Sequence, residues 1–461
     1  MAKKQKGRRR GMSFEERPVL EPNAAGIDVG ARQMFVAAPP QSDENPVRVF
    51  DTFTEDLNKL ADWLEQCGVQ TVAMESTGVY WIPVFEILER RGLKPRLVDA
   101  RHMKNVPGRR TDWQECQWIQ YLHSVGLLRS AFRPEDEVVA VRALMRHRKD
   151  LVEMASQHVQ HMQKALTQMN VQIHHVINDL TGLTGAAIVD AIIAGERSAG
   201  ELAKLRDPRI KADMETIRKS LVGHWRREHL FTLKQSRGLY ITYQGQIEEC
   251  DREIEKLLQP TPSRVDSDQK PMPPDQKNNH EKKAKSSDPQ SAFNMRSEAY
   301  RLFGVDVTQV PGLARNVLAL YSEVGRDMSR WISSGHFTSW LALCPDNDVS
   351  GGRVLWKGMR NFKSPGAQIF RLAAFGLHRS QSQLGHFLRR MKAKIGPAAA
   401  ITATARKIAV IFYTMVKTQV EYDDRKWTDQ DAQRQIRIEN KLRRQARRLG
   451  FRLTPLEETT T

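Results

Sequence analysis

Cysteine is scarce in this sequence. A chain of 461 residues has four, Cys67, Cys116, Cys250 and Cys344, and no two of them form a Cys-x-x-Cys pair. This spacing excludes a zinc ribbon and provides no disulfide framework of the kind that stabilises small secreted domains. A reducing compartment, the cytoplasm, suits such a chain.

Aromatic residues are also few, at 7% of the chain, and we find no apolar run long enough to span a bilayer. The basic N-terminus, residues 1–10, has no apolar segment behind it, which is not typical of a secretory signal. We interpret it as a disordered tail that either contacts phosphates or only aids solubility. Hydrophobic residues still make up 40% of the chain, enough to form cores, and a length of 461 residues suits two or three domains.

Acidic residues are outnumbered. The chain has 72 Lys and Arg against 54 Asp and Glu, a formal net charge of +18. An excess of this size indicates a polyanionic partner. Nucleic acid is the first candidate and an anionic membrane surface the second.

The first part of the chain predicts an α/β domain. Strands are expected at 26–30, 34–38 and 47–53, followed by a helix that a Thr52–Glu55 capping box would open and Gly68 would end. A strand up to Glu75, a helix up to Gly92, a strand at 96–98 and a helix at about 111–125 complete it. This order is expected of a ribonuclease H-like (RuvC-like) fold.

The pattern changes after Pro134. A heptad-like apolar stripe runs from Val138 to Met169, interrupted by Arg148, and a second runs from Leu233 to Leu257; both predict long coiled-coil helices. They pair either within one chain or across a dimer. The predicted domains are a basic disordered tail (1–23), the α/β domain (24–133), a helical coiled-coil region (134–258), a disordered linker (259–298), a mostly helical C-terminal domain (299–422) and a basic tail (423–461).

Four acids stand out in the α/β domain. Asp28 lies inside an apolar strand, where a carboxylate is costly unless it is paired or binds a cation. Glu75 ends another strand, and Asp112 and Glu115 share a helix face. Oxygen ligands of this kind suit Mg²⁺ or Mn²⁺, which support phosphoryl transfer. Taken singly, each acid could equally be a cap, a salt bridge or a solvated helix start.

The segments 26–30 (GIDVG), 74–78 (MESTG) and 111–115 (TDWQE) resemble signature blocks of the DEDD transposases of the insertion-sequence one-ten type, relatives of the Piv DNA invertase. The resemblance implies that Asp28, Glu75, Asp112 and Glu115 are catalytic metal ligands. Glu115 stands where the family usually has Asp. Asp99 is a further acid, for which a structural role is favoured.

The segment 348–353 (DVSGGR) places a serine before two glycines, and Lys357, Arg360 and Lys363 follow Arg353. From the residues alone this is a turn with cations that can hold phosphate. Segment 310–314 (VPGLA) predicts either a DNA-gripping hairpin between helices or a plain Pro-Gly turn. The resemblance extends over 303–418 and implies that Ser350 is a nucleophile that joins covalently to DNA.

The same resemblance implies a bacterial, nucleoid-associated recombinase that acts as a dimer or tetramer with a structured guide RNA. Two other functions remain open at this point. One is a junction-resolving or cut-and-paste nuclease that uses the acids with water. The other is a basic nucleic-acid-binding protein without turnover.

Overall fold

The computed structural model describes residues 17–76, 78–98, 111–128, 130–266, 269–274, 293–313, 316–345, 347–356, 358, 364–424, 439–440 and 442–452. The chain divides into two compact units, residues 1–133 and residues 134–461. Asp99, residues 275–292 of the predicted linker and much of both basic tails lie outside the described residues. The predicted boundaries of the six segments stay predictions.

The first unit is built on one five-stranded sheet. Its strands are β1 (Ala24–Val29), β2 (Gln33–Ala37), β3 (Val47–Asp51), β4 (Thr71–Glu75) and β5 (Lys94–Val98), and its helices are α1 (Thr54–Gln66), α2 (Trp81–Arg90) and α3 (Asp112–Ser124). The strand order is β3-β2-β1-β4-β5. β2 is antiparallel to β1 and β3, whereas β1, β4 and β5 are parallel. The predicted order of elements is confirmed, and the sheet is compatible with a ribonuclease H-like fold.

Helices cover both faces of this sheet. Ile27 and Met74 belong to the main core, together with Leu60 of α1 and Leu88 of α2. On the opposite face, Ala73 and Val98 pack with Ile119 of α3. Burial on both faces explains why the central strands are almost continuously apolar.

One helix start was predicted at the wrong place. The N-cap of α1 is Phe53 and makes no side-chain cap bond, while the Thr52 hydroxyl donates to the carbonyl of Ala31. The capping box occurs at α3 instead, where Thr111 and Gln114 satisfy each other's backbone N–H groups. Thr52 is too far from the first turn to cap it because α1 begins one residue later than the spacing implied.

The second unit opens with two long helices, α4 (Asp136–Gln168) and α9 (Arg227–Leu258), which pack along each other. Four shorter helices lie between them in the chain: α5 (Ile173–Val176), α6 (Leu183–Ala194), α7 (Ala199–Lys204) and α8 (Met214–Ser220). The two stripes thus meet inside one chain. The second stripe ends on Leu258, which is fully buried, and not on Leu257, which is 36% exposed.

A buried ion pair interrupts the contact between α4 and α9. Arg148 Nε lies 2.6 Å from Asp251 Oδ1, and Nη2 lies 3.3 Å from Oδ2. Asp251 is completely buried and Arg148 is 7% exposed. The residue that breaks the apolar stripe of α4 therefore meets a matching acid on α9.

Removing one partner of this pair is expected to be costly. Asp251→Ala leaves the Arg148 charge buried without its carboxylate, so we expect unfolding to become easier by about 3–5 kcal/mol. Replacing both residues, Arg148→Met with Asp251→Leu, is expected to restore most of that loss. Thermal and urea unfolding of the full chain measure both. Equal losses in the single and the double variant would contradict the assignment.

The rest of the second unit is mainly helical. It contains α10 (Met295–Phe303), α11 (Val317–Val324), α12 (Ser334–Trp340), a hairpin of β6 (Asp348–Ser350) and β7 (Arg353–Trp356), then α13 (Pro365–Gly376), α14 (Gln383–Ile395) and α15 (Pro397–Thr418). Helix α10 begins inside the predicted linker. Aromatic rings of Phe303, Phe337, Phe370 and Phe412 pack in the core.

Helix α15 is unusually apolar. Within the described part of the chain it is the one helix long and apolar enough to cross a membrane. The sequence alone had indicated no apolar run of that length. Its most apolar window is 56% buried, and the helix packs against α12, α13 and α14. Its apolar character is accounted for by this central position in the core.

Candidate active site

Two of the predicted acids lie side by side on neighbouring strands. In the parallel pair of β1 and β4, Ile27 is opposite Met74. Asp28 and Glu75 are the next residues along each strand. Because side chains alternate between the faces of a sheet, both acids point to the face opposite the main core, the face that α3 covers.

The orientation of α3 brings the other two acids to the same place. Gln120 Nε2 donates to the carbonyl of Ala24 over 3.1 Å, which fixes the C-terminal half of α3 at the start of β1. A Cβ at Gly26 would lie 2.5 Å from the Cys116 carbonyl oxygen. Helix α3 therefore runs antiparallel to β1 in direct backbone contact, and its first turn, with Asp112 and Glu115, lies toward Asp28.

The negative charges of the other three acids act on Asp28. The pKa of Asp28 is raised from 3.8 to about 6, first by burial and then by the negative charges of Glu115, Asp112 and Glu75. Asp28 and Glu75 are half-buried, whereas Asp112 and Glu115 are exposed. The other three acids are therefore near enough to Asp28 to act on its charge, with Glu75 on the neighbouring strand and Asp112 and Glu115 on the first turn of α3.

The donor set suits a hard divalent cation. All four side chains offer carboxylate oxygens, and a cation would relieve the repulsion that now raises the pKa of Asp28. Among the described residues, no three His, Cys, Asp or Glu side chains are close enough to hold one metal ion. The donor chemistry fits such an ion, and the exposed acids of α3 are the side chains with room to move toward it.

Sequence reasoning missed three residues around this cluster. Gly26 permits the close approach of α3, and a glycine inside an apolar strand is a known sign of such a contact. Trp113, 47% exposed, packs edge-on against Phe35, which is paired with Asp28 across the β1–β2 ladder. Burial raises the pKa of the Cys116 thiol to about 12, so this thiol is not a nucleophile.

The raised pKa of Asp28 has a consequence for stability. A carboxyl whose pKa is higher in the folded than in the unfolded state destabilises the fold when it ionises. The penalty is absent below about pH 4, grows between pH 4 and 6, and is complete above pH 6. We expect the Asp28→Asn variant to gain stability over the native chain across this window in EDTA. Paired thermal unfolding curves at pH 4, 5, 6 and 7 test this; a pH-independent difference would contradict it.

Ser350 lies at the tip of the β6–β7 hairpin. Gly351 and Gly352 form the two-residue turn with φ angles of 56° and 77°, and Ser350 is paired with Arg353. Positive φ at both central positions is what a type I′ turn requires, which explains the two glycines. Ser350 and Arg353 are exposed, while Lys357, Arg360 and Lys363 lie outside the described residues.

The Pro-Gly segment has a structural explanation. The N–H of Leu313 donates to the carbonyl of Val310, and Gly312 has a φ of 90°, as in a type II turn with Pro311 at its second position. A Cβ at Gly312 would lie 2.5 Å from the carbonyl oxygen of Ala373. A tight turn packed on α13 accounts for this glycine, and Ala314 lies outside the described residues.

Sheet topology and the acid cluster together define an α/β domain that carries four carboxylates on one face of its parallel strands. Residues 25–171 match the transposase family of the DEDD, insertion-sequence one-ten (IS110) type. The match covers about a third of the chain, and it shows that this segment is similar to the DEDD transposases. No curated protein is similar enough to the chain to count as a match.

Proposed function

We propose that the protein is a cytoplasmic, nucleoid-associated transposase or site-specific recombinase that cleaves and exchanges DNA strands with a divalent metal ion and a serine nucleophile. The placement of Glu75 beside Asp28 on paired strands, with the first turn of α3 directed toward Asp28, carries the proposal. Charges of one sign gathered on a half-buried carboxylate are costly in a purely structural site and useful in one that binds cations. The family match to the same segment supports this proposal.

In this proposal the four acids hold Mg²⁺ or Mn²⁺. When bound, the ion supplies a Lewis acid for reaction at the scissile phosphate. Asp28 and Glu75 are fixed ligands because their strands are hydrogen-bonded neighbours. Asp112 and Glu115 adjust from the exposed first turn of α3. Glu115, in place of the usual Asp, is one methylene longer and keeps a carboxylate oxygen within the cluster.

Ser350 is the proposed nucleophile. Its exposed hydroxyl stands at a turn whose glycines leave the backbone open to a phosphate. As the Oγ–P bond forms, the bond between phosphorus and one deoxyribose oxygen breaks. The serine hydroxyl gives up its proton, the departing oxygen takes up one, and that DNA strand leaves with a free sugar hydroxyl. The DNA end then stays attached to the protein until a second strand displaces the serine. Arg353, Lys357, Arg360 and Lys363 hold the phosphates around it.

The family resemblance supports two further parts of the proposal: a dimer or tetramer whose cooperating sites come from different subunits, and a structured guide RNA that pairs with donor and target DNA. The surplus of positive charge suits an RNA partner as well as DNA. A structured non-coding region beside the gene favours guidance by RNA, whereas long terminal inverted repeats favour cut-and-paste transposition.

Trapping the covalent intermediate tests the proposed chemistry. The full chain is incubated with DNA of the element ends and Mg²⁺, denatured, and digested for mass spectrometry. We expect a nucleotide adduct on the peptide that contains Ser350, and none in EDTA. Cleaved DNA without any adduct would support the nuclease that uses water. No Mg²⁺-dependent cleavage at all would support the binding protein without turnover.

A further inference from the structure

One segment of the second unit carries charge of a single sign. Residues 349–420 contain thirteen Lys and Arg and no Asp or Glu, so they supply +13 of the net charge of +18. On several helices elsewhere exposed lysines pair with acids, as in Lys59–Glu55, Lys149–Glu153 and Lys256–Glu253. An acid-free stretch of this length produces a strong local positive potential.

Seven of these cations lie on α14 and α15, which pack against each other. They are Arg389, Arg390, Lys392, Lys394, Arg406, Lys407 and Lys417. Two of them hold neighbouring segments in place. Arg389 Nη1 donates to the carbonyls of Ser380, at 2.7 Å, and His378, at 3.3 Å. Lys417 Nζ donates to the hydroxyl of Tyr413, at 2.6 Å, and to the carbonyl of Ile332, at 3.3 Å.

Several of them gather beside one aromatic ring. Phe387, Arg390 and Lys394 follow at spacings of three and four, so they share one flank of α14. Lys407 Nζ of α15 lies 4.5 Å from the centre of the Phe387 ring, and the Arg390 guanidinium lies 5.4 Å from it. Arg406, next to Lys407, is exposed, as is Lys394. We call Phe387, Arg390, Lys394, Arg406 and Lys407 the basic helix face.

We propose that the basic helix face binds the phosphodiester backbone of a nucleic acid. Like charges on neighbouring turns repel, and phosphates that replace condensed counterions relieve this repulsion. Contacts from lysine and arginine to phosphates position a nucleic acid without reading its bases. A face of flexible cations around one aromatic ring is suited to contacts of this kind. The inference rests on the proposed function only in taking nucleic acid as the substrate.

Attraction to a helix end does not explain this face. Lys392 and Lys394 lie in the last turn of α14, where the helix dipole favours cations. Arg406 and Lys407 lie near the middle of α15, beyond the reach of either end of its dipole. An acidic protein could bind the same charges. If that were their role, removing them would leave the binding of nucleic acid unchanged.

The test measures binding of the full chain to a random-sequence DNA duplex and to an RNA duplex of the same sequence. Binding is followed by fluorescence anisotropy at salt concentrations from about 50 to about 300 mM, where phosphate contacts make the affinity strongly dependent on salt. The variant is Lys394→Gln with Arg406→Gln. The matched control is Lys149→Gln with Lys219→Gln, exposed lysines of the same unit whose loss changes the net charge equally. We expect the salt slope to fall by about 2 and affinity at 0.1 M salt to fall at least about tenfold in the variant.

Each result decides the question. A smaller salt slope in the variant with DNA, RNA or both supports binding at the basic helix face and shows which nucleic acid binds there. Unchanged slopes with both duplexes overturn it, and so does an equal change in the control. DNA cleavage by the same preparations is scored separately. If the protein cleaves DNA in a manner that depends on Asp28, but the variant leaves the salt slopes unchanged, only this inference is wrong. If the variant lowers the salt slopes, but the protein cleaves no DNA, only the proposed enzyme activity is wrong.

Discussion

Asp28→Ala is expected to lower Mg²⁺-dependent DNA cleavage about a thousandfold or more. Asp28 is the acid on which the charges of Glu115, Asp112 and Glu75 act, so its loss leaves the proposed metal ligands without their central member. A catalytic metal contributes several kcal/mol of transition-state stabilisation, and a loss of about 4 kcal/mol corresponds to about a thousandfold. Single-turnover cleavage of labelled element-end DNA measures the effect.

The fold is expected to survive this substitution. Ionised Asp28 is destabilising at neutral pH, so its removal does not weaken the sheet. Glu65→Gln is the matched control, since Glu65 is an exposed acid on α1 of the same unit. Two results would contradict a catalytic role for Asp28. One is DNA cleavage that persists in the Asp28→Ala protein, and the other is a loss of cleavage explained by unfolding of this variant at the assay temperature.

Ser350→Ala is expected to abolish both the covalent protein–DNA adduct and strand exchange. Substituting alanine removes the attacking oxygen, while the two glycines of the hairpin turn and the pairing with Arg353 depend only on the backbone. Loss of a nucleophile of this kind costs several orders of magnitude in rate. Gel assays for covalent DNA and for exchanged strands follow the two outcomes separately.

Ser297→Ala is the matched control for this variant, because Ser297 is an exposed serine of the same unit on α10. A Ser350→Ala protein that still cleaves DNA, with cleavage that still depends on Asp28, would identify water as the nucleophile. The two variants together therefore separate the recombinase from the nuclease.

The sequence predicted the sheet well because its signals were local. Apolar runs bounded by turn residues marked the strands, and the structure confirms the expected order of strands and helices. Asp28 was recognisable as an acid inside an apolar strand. Asp112 and Glu115 were noted for their shared helix face, but this spacing alone suits any solvated helix start, and only the resemblance implied a catalytic role for them.

Features that depend on contacts between distant segments could not be predicted from local sequence patterns. The direction of α3 across β1 follows from the contact between Gly26 and Cys116, ninety positions apart in the chain. The end of the α9 stripe was misplaced by one residue because a helix of 3.6 residues per turn drifts against a heptad count, so that Leu258 replaces Leu257. The β6–β7 hairpin was expected only as a turn, since its strands are too short to show alternation.

The pairing of Arg148 with Asp251 also constrains how this protein can change in length. One residue inserted into α9 between its start and Asp251 would rotate the preceding part of the helix by about 100° relative to the acid, because a turn takes 3.6 residues. Either the apolar stripe or the acid would then face away from α4. Insertions and deletions compatible with the pair are therefore confined to the connections between helices, or come in steps of about seven residues that restore the helical phase.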